Sequence, residues 1–154
     1  MREILFRGKD PETGTWYEGF YMALSDTTYC FKGDYDAHPD NTKHYIVFDR
    51  MTDWGLSNQH LRADVDPSTV GQYTGLKGKN GKRIFEGDIV KTSDITHEGV
   101  IQIPGESFEI AMRKGCWVMV DREDWDFLET NHECIRVIGN IHDNQELLKG
   151  GEGL

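Results

Sequence analysis

The alternation of apolar and polar positions divides the chain into short strands joined by turns. Glu3-Ile4-Leu5-Phe6 and Trp16-Tyr17-Glu18-Gly19-Phe20-Tyr21 flank Asp10-Pro11-Glu12-Thr13-Gly14. Proline suits the second position of such a turn and glycine its close, so a first hairpin is predicted. Two β-branched and aromatic runs, Thr27-Thr28-Tyr29-Cys30-Phe31 and His44-Tyr45-Ile46-Val47-Phe48, lie on either side of a loop rich in Asp, Gly, Pro and Asn. They predict a second strand pair. Over residues 49–67 the pattern weakens; Trp54, Leu56 and Leu61 are placed to close over one sheet edge, and no firm element is assigned.

The stretch from Val70 to Lys91 carries the sharpest signals. Asn80-Gly81 tolerates the two positive φ angles of a type I′ hairpin, which predicts a tight turn at Lys79-Asn80-Gly81-Lys82. Beyond it, Ile84-Phe85 and Ile89-Val90 are separated by Glu86-Gly87-Asp88, where glycine permits a bend and alternation sends both acids to water. A strand bent at glycine suits a small closed barrel. Residues 99–103, 107–112 and 116–120 then read as a three-strand meander with short turns. The acidic run over residues 121–132 holds Trp125 and Leu128 three apart, which fits one helical turn or a solvated loop. Residues 134–138 predict a last strand broken by Gly139-Asn140, and Asp143 with Glu146 resembles a capping box opening a short turn that ends at Leu148. Gly150, Gly151 and Gly153 predict a frayed tail. No internal repeat, heptad pattern or long linker is visible.

Gly71-Gln72-Tyr73-Thr74-Gly75-Leu76, Lys79-Asn80-Gly81-Lys82 and Ile84-Phe85-Glu86-Gly87-Asp88-Ile89-Val90 together resemble the central signature of the YopX family of bacterial and phage proteins. The opening Met1-Arg2-Glu3-Ile4-Leu5-Phe6-Arg7-Gly8 is similar to that family's N-terminus. Residues 137–144 with Glu146-Leu147-Leu148 are similar to its C-terminus. The pattern departs at Gln145, where the family has proline, and at Gly78, where it has an acid. The resemblance implies a β-rich architecture with an SH3-like barrel and a phage or prophage origin, and it brings no reaction with it. The expected fold is therefore mainly β with little helix and about ten strands. An N-terminal antiparallel β unit over 1–68, an SH3-like barrel unit over 69–148 and a tail over 149–154 are expected to form one body.

Charge narrows the function classes. The formal net charge is −10, which argues against general duplex binding, since phosphate neutralisation requires clustered cations. The distribution is uneven: residues 1–70 carry seven cations and twelve acids, residues 71–91 five and two, and residues 92–154 five and thirteen. The predicted hairpin is a basic island in an acidic chain. No run reaches the ~20 apolar residues of a membrane span, and the opening residues lack a signal peptide's apolar core, so a cytoplasmic protein without membrane contact is expected. Cys30, Cys116 and Cys134 form no C-x-x-C pair and are read as buried thiols.

Among candidate chemistries, His132-x-Cys134 with Cys116 supplies three of the four ligands a structural zinc site wants, and His38, His44 and Asp40 read as loop residues. Neither metal nor cofactor is expected. Glu86 and Asp88 could share acid-base work, but their alternation with Phe85 and Ile89 favours a solvated strand face. The common nucleophile, metalloprotease and nucleotide motifs are not found, so the enzyme question stays open with a non-catalytic protein favoured. The preferred binding residues are Tyr73, Lys77, Lys79, Lys82 and Arg83, followed by Phe85 and Lys91. In small barrels such rings stack and such cations meet phosphate or acid. The expected function is a binding or assembly module, with a nucleic-acid-associated protein using Lys77 to Lys91 as the alternative. Its partner is expected to be a further copy of the chain in a homo-oligomer, or a phage or host protein.

Overall fold

The computed structural model of the chain describes residues 1–92, 106–121 and 125–148. Eleven strands are present among them, all paired antiparallel, with two short α-helices and four 3-10 turns. The expectation of a mainly β chain is met. The chain forms two compact units, Ile4–Gln72 and Tyr73–Leu154, and Met1–Glu3 belong to the second.

In the N-terminal unit, β1 (Phe6–Lys9) and β2 (Trp16–Ser25) form the first predicted hairpin, starting later than Glu3. Asp10 organises its turn. Its carboxylate accepts the backbone N–H groups of Glu12 at 2.8 Å and Thr13 at 3.2 Å, and these bonds, that from Glu12 foremost, lower its pKa. Next, β2 pairs with β3 (Thr42–Arg50), and β3 with β4 (Gln59–Asp64). This corrects two readings. Residues 27–31 make no strand, and α1 (Lys32–Asp36) follows them. The partner they were expected to provide for β3 is the long second half of β2, where Ser25 faces Thr42. The weakly patterned residues 49–67 contain β4, whose exposed polar residues hid it. Trp54 and Leu56 do not cover a sheet edge; both are exposed. A 3-10 turn at Pro67–Thr69, capped by the Asp66 carboxylate on Ser68 N–H, leads into β5 (Gly71–Lys77). Its first residues pair with β1, Phe6 opposite Gln72. Tyr45, Ile46, Ala63 and Val65 are buried in this unit.

The C-terminal unit takes up β5 from Tyr73 and pairs it with β6 (Arg83–Phe85). The connection is not type I′. Gly81 N–H donates to the Gly78 carbonyl, which places Lys79 and Asn80 at the turn centre. Of the pair Asn80-Gly81 only Gly81 has a positive φ, and Gly78 N–H closes the loop on the Lys82 carbonyl. A turn followed by a left-handed glycine is the three-residue alternative to a type I′ loop. Both central φ angles are positive instead at Lys114 and Gly115, between β8 (Ser107–Arg113) and β9 (Cys116–Val120).

A five-stranded sheet follows in the order β10-β9-β8-β7-β11, with β7 at Asp88–Thr92, β10 at Trp125–Phe127 and β11 at Ile135–Asn140. The predicted strand over 99–103 lies outside the described residues, as does the tail over 149–154. Within 121–132 the chain forms β10 and then a single turn, α2 (Leu128–Asn131), which buries Leu128. Gly139-Asn140 does not precede the end of β11 but forms its last two residues, past an irregularity between Val137 and Gly139. The expected turn ending at Leu148 is present as a 3-10 turn over Gln145–Leu148. The core comprises Ile84, Val90, Ile110, Met119, Leu128 and Ile135. The sheet has two ends, and among the described residues no ladder joins β10 to β11, so the closure expected of a barrel is not seen.

Two glycines are required for different reasons. At Gly19, in β2, a Cβ would lie 2.0 Å from the Val47 carbonyl oxygen. Gly87 sits at φ +79° between β6 and β7, its N–H bonded to the Ile110 carbonyl at 2.8 Å. Gly19→Ala is expected to cost about 2–3 kcal/mol through forced strand displacement. Gly87→Val should cost more than ~1 kcal/mol through a disfavoured backbone angle. Urea unfolding checks both, and an unchanged midpoint for either contradicts its assignment.

Candidate functional site

The sequence-selected residues are only partly assembled into a surface. Lys77, Lys79 and Lys82 are exposed around the β5–β6 loop. Tyr73 is 3% exposed and belongs to the interior, packed against Phe85 at 5.5 Å between ring centroids. Its ring therefore offers no open stacking face. Arg83 is half-buried, its guanidinium 5.7 Å from the Tyr73 ring centroid and 3.1 Å from the Glu3 carboxylate. It holds the first residues of the chain, alongside Arg2, which donates to the Thr74 carbonyl at 3.4 Å. The loop itself is pinned by Lys79 N–H on the Ile135 carbonyl, and His132 Nδ1 lies 2.9 Å from the Lys77 carbonyl.

Glu86 and Asp88 do not share a solvated face. Asp88 is fully buried, and its Oδ2 accepts the Phe85 N–H at 2.8 Å, so the carboxylate closes the β6–β7 turn. Strand alternation failed here because the left-handed Gly87 interrupts the pleat. The cysteines are not buried thiols either. Cys30 and Cys116 are exposed and Cys134 is half-buried. Among the described residues no three His, Cys, Asp or Glu side chains are grouped to hold a metal ion.

A cleft of about 720 Å³ lies within the N-terminal unit, along β3 and β4. The stacked rings of Tyr17 and Phe48, 5.1 Å apart, line it together with Leu61. Its polar lining includes Asp26, Lys43, His44, Arg62 and Asp64. Tyr45 joins the two characters. The Arg62 guanidinium stands 4.5 Å over its ring, and its hydroxyl donates to Asp26 at 3.4 Å. Burial pushes the Tyr45 phenol above its ordinary value; the Asp26 and Asp64 carboxylates add to this and Arg62 opposes it. His44 is fixed from β2 by the Tyr21 hydroxyl, 2.6 Å from its Nδ1. The lining is more polar than apolar, with the aromatic rings on one part of it, and the volume is in the ordinary range for a binding site. The sequence did not reveal it because β4 carries no apolar period; the one available signal was the aromatic content of Trp16 to Tyr21 and His44 to Phe48.

Fold and cleft define a mainly β protein of two antiparallel units, one of which carries a ligand-sized groove. The family described as YopX protein matches residues 5–149, and the chain belongs to that family. The crystal structure of protein EF1440 from Enterococcus faecalis is similar, with a TM-score of 0.52 at 23% identity over 96% of this chain and 99% of that one. At that identity the likeness concerns the fold. No curated protein matches the chain.

The raised phenol gives a pH prediction. A group whose folded pKa lies above its unfolded value contributes stability that is complete below the unfolded value, here 10.0, and lost as pH rises through the folded one. Unfolding followed from pH 8 upward is expected to show stability falling beyond about pH 10. Tyr45→Phe should make that fall shallower, and an identical profile would contradict the assignment.

Proposed function

We propose that this chain is a non-catalytic binding or assembly module of phage or prophage origin that works in the cytoplasm and associates with copies of itself. One observation carries the reading. Phe20, Met22 and Leu24 project from the same face of β2, with Phe20 and Leu24 65% and 50% exposed. Half-buried Val47 stands opposite Phe20 on β3, and Tyr45 opposite Met22 is buried, so the exposed apolar strip lies along β2. Grouped apolar surface of this kind is characteristic of protein interfaces, and it offers area rather than reacting groups. The charge pattern supports a second copy as the first partner to consider. The five cations and two acids of residues 71–91 complement the acidic excess on both sides of them. A phage or host protein is the further partner, and that origin is drawn from the family alone.

Light scattering after size exclusion is expected to give a multiple of 17.7 kDa. The pair Phe20→Glu and Leu24→Glu should return the protein to that mass, since a charge on each exposed position opposes burial without disturbing the buried core. A wild-type monomer at micromolar concentration and low salt refutes self-association.

A nucleic-acid-associated protein is the second reading, favoured by the exposure of Lys77, Lys79 and Lys82 around one loop. It would rest on phosphate contact, given the buried Tyr73. Binding to labelled single-stranded DNA or RNA should then weaken with salt and vanish when these three lysines are changed to Glu. No binding at low salt removes this reading.

A further inference from the structure

We propose that the groove beside β4 takes an extended segment of a partner protein, alternating basic and apolar residues, as an added strand; this rests on the reading of the chain as a binding module and names the partner's chemistry. The position of the groove is the first reason. The five consecutive residues 61–65 line it, and so do residues 42–45. Consecutive strand residues point to opposite faces, so a space touched by all of them runs along the strand margin rather than over one face. β4 is that margin. It ends the strand order of its sheet, and among the described residues it has a ladder on the β3 side only. The groove continues past its end beside Thr42 and Lys43, where Val65 N–H bonds the His44 carbonyl.

The edge is suited to receive a strand. β4 pairs with β3 without a register break from Gln59 to Asp64 and contains no proline. Two of the devices that blunt an edge, a bulge and a proline, are thus not used on it, and the charges of Arg62 and Asp64 restrict which strand can pair there. Its six residues span roughly 20 Å, enough for a main-chain ladder with a short peptide. The side chains set the selectivity. Leu61 and the Tyr17–Phe48 pair offer apolar contact to every second residue of the incoming strand. Among the charged lining, Asp10, Glu12, Asp26 and Asp64 outnumber Lys43 and Arg62; Arg62 is engaged on Tyr45, Asp10 on two turn N–H groups and Asp26 on the Tyr45 hydroxyl, which leaves Glu12 and Asp64 to face an incoming strand beside Lys43. The remaining residues of the strand are therefore best met by lysine or arginine.

Fluorescence anisotropy with a labelled peptide of alternating lysine and valine tests this on the full chain. Saturable binding is expected. It should weaken at least about tenfold with a glutamate-valine peptide of the same length, and equally in the double variant Glu12→Lys and Asp64→Lys, both exposed positions. Alternate N-methylation of the peptide backbone removes its donors without touching the protein, and should abolish binding. Hydrogen exchange should slow over residues 59–65 and stay unchanged over 77–83. No saturation, equal affinity for the glutamate or N-methylated peptide, or protection elsewhere would overturn the proposal. Self-association is read separately by mass, so a monomer that binds the peptide refutes assembly and keeps this groove, and an oligomer that ignores it does the reverse.

Discussion

Each unit depends on one non-local ladder: the last strand of a meander must return to pair beside the first. In the N-terminal unit β1, β2, β3 and β4 follow one another, and β5 comes back to β1 with Gln72 opposite Phe6. In the C-terminal unit β7, β8, β9 and β10 are neighbours in turn, and β11 returns to β7 with Val137 opposite Val90. The two sheets thus share one strand plan among the described residues. A short helical segment precedes the return in both cases, at Pro67–Thr69 and over Leu128–Cys134. Such ladders close long loops before any bond rewards them, so the apolar residues they bury must supply the driving force. Ile135 and Val90, both fully buried on the paired strands β11 and β7, do so in the second unit.

Where a strand plan leaves an edge, the side chains decide whether the edge is a hazard or a surface. The β5–β6 loop illustrates the protective case. Lysines surround it, and its backbone is occupied by the bond from Lys79 to Ile135. Tyr73, Arg83 and Glu3 form an interior-to-surface stack whose exposed ion pair contributes little by itself, because solvent screens it. The margin of β4 is the contrasting case. Its charged residues alternate with Leu61 and Ala63, so indiscriminate pairing is discouraged while a segment of matching charge can be accepted.

Burial also changes the chemistry of groups that look alike along the chain. Asp88 and Asp10 both bind backbone N–H groups in turns, but Asp88 is enclosed and Asp10 closes an exposed hairpin. Glu109 on β8 shows the opposite tendency: burial raises its pKa, Glu86 adds to the rise and Arg113 opposes it. The acidic excess of the chain is therefore not one uniform field. Some carboxylates serve the backbone, as Asp10 does, some are partly withdrawn from water, and Glu12 and Asp64 at the groove are exposed to solvent.

The sequence by itself determined the β character, the family, the Asp10 hairpin, the strands β3, β8 and β9, and the glycine bend at Gly87, because these follow from residue-local preferences: turn chemistry, β-branched and aromatic runs, and a backbone angle only glycine adopts freely. It did not determine the turn at Lys79, since Asn-Gly tolerates more than one hairpin geometry and the Ile135 carbonyl, 56 positions away, helps to select one. The burial of Asp88 and Tyr73, the exposure of Cys30 and Cys116, and the strand β4 were likewise settled by tertiary structure. Each depends on which neighbours cover a residue, and a strand of exposed polar residues carries no periodic apolar signal until its partner is known. The groove is the clearest case. Asp10, Tyr17, Phe48 and Asp64 lie far apart in the chain and share no motif, and only the folding of β1 through β4 into one sheet brings them to a common cleft.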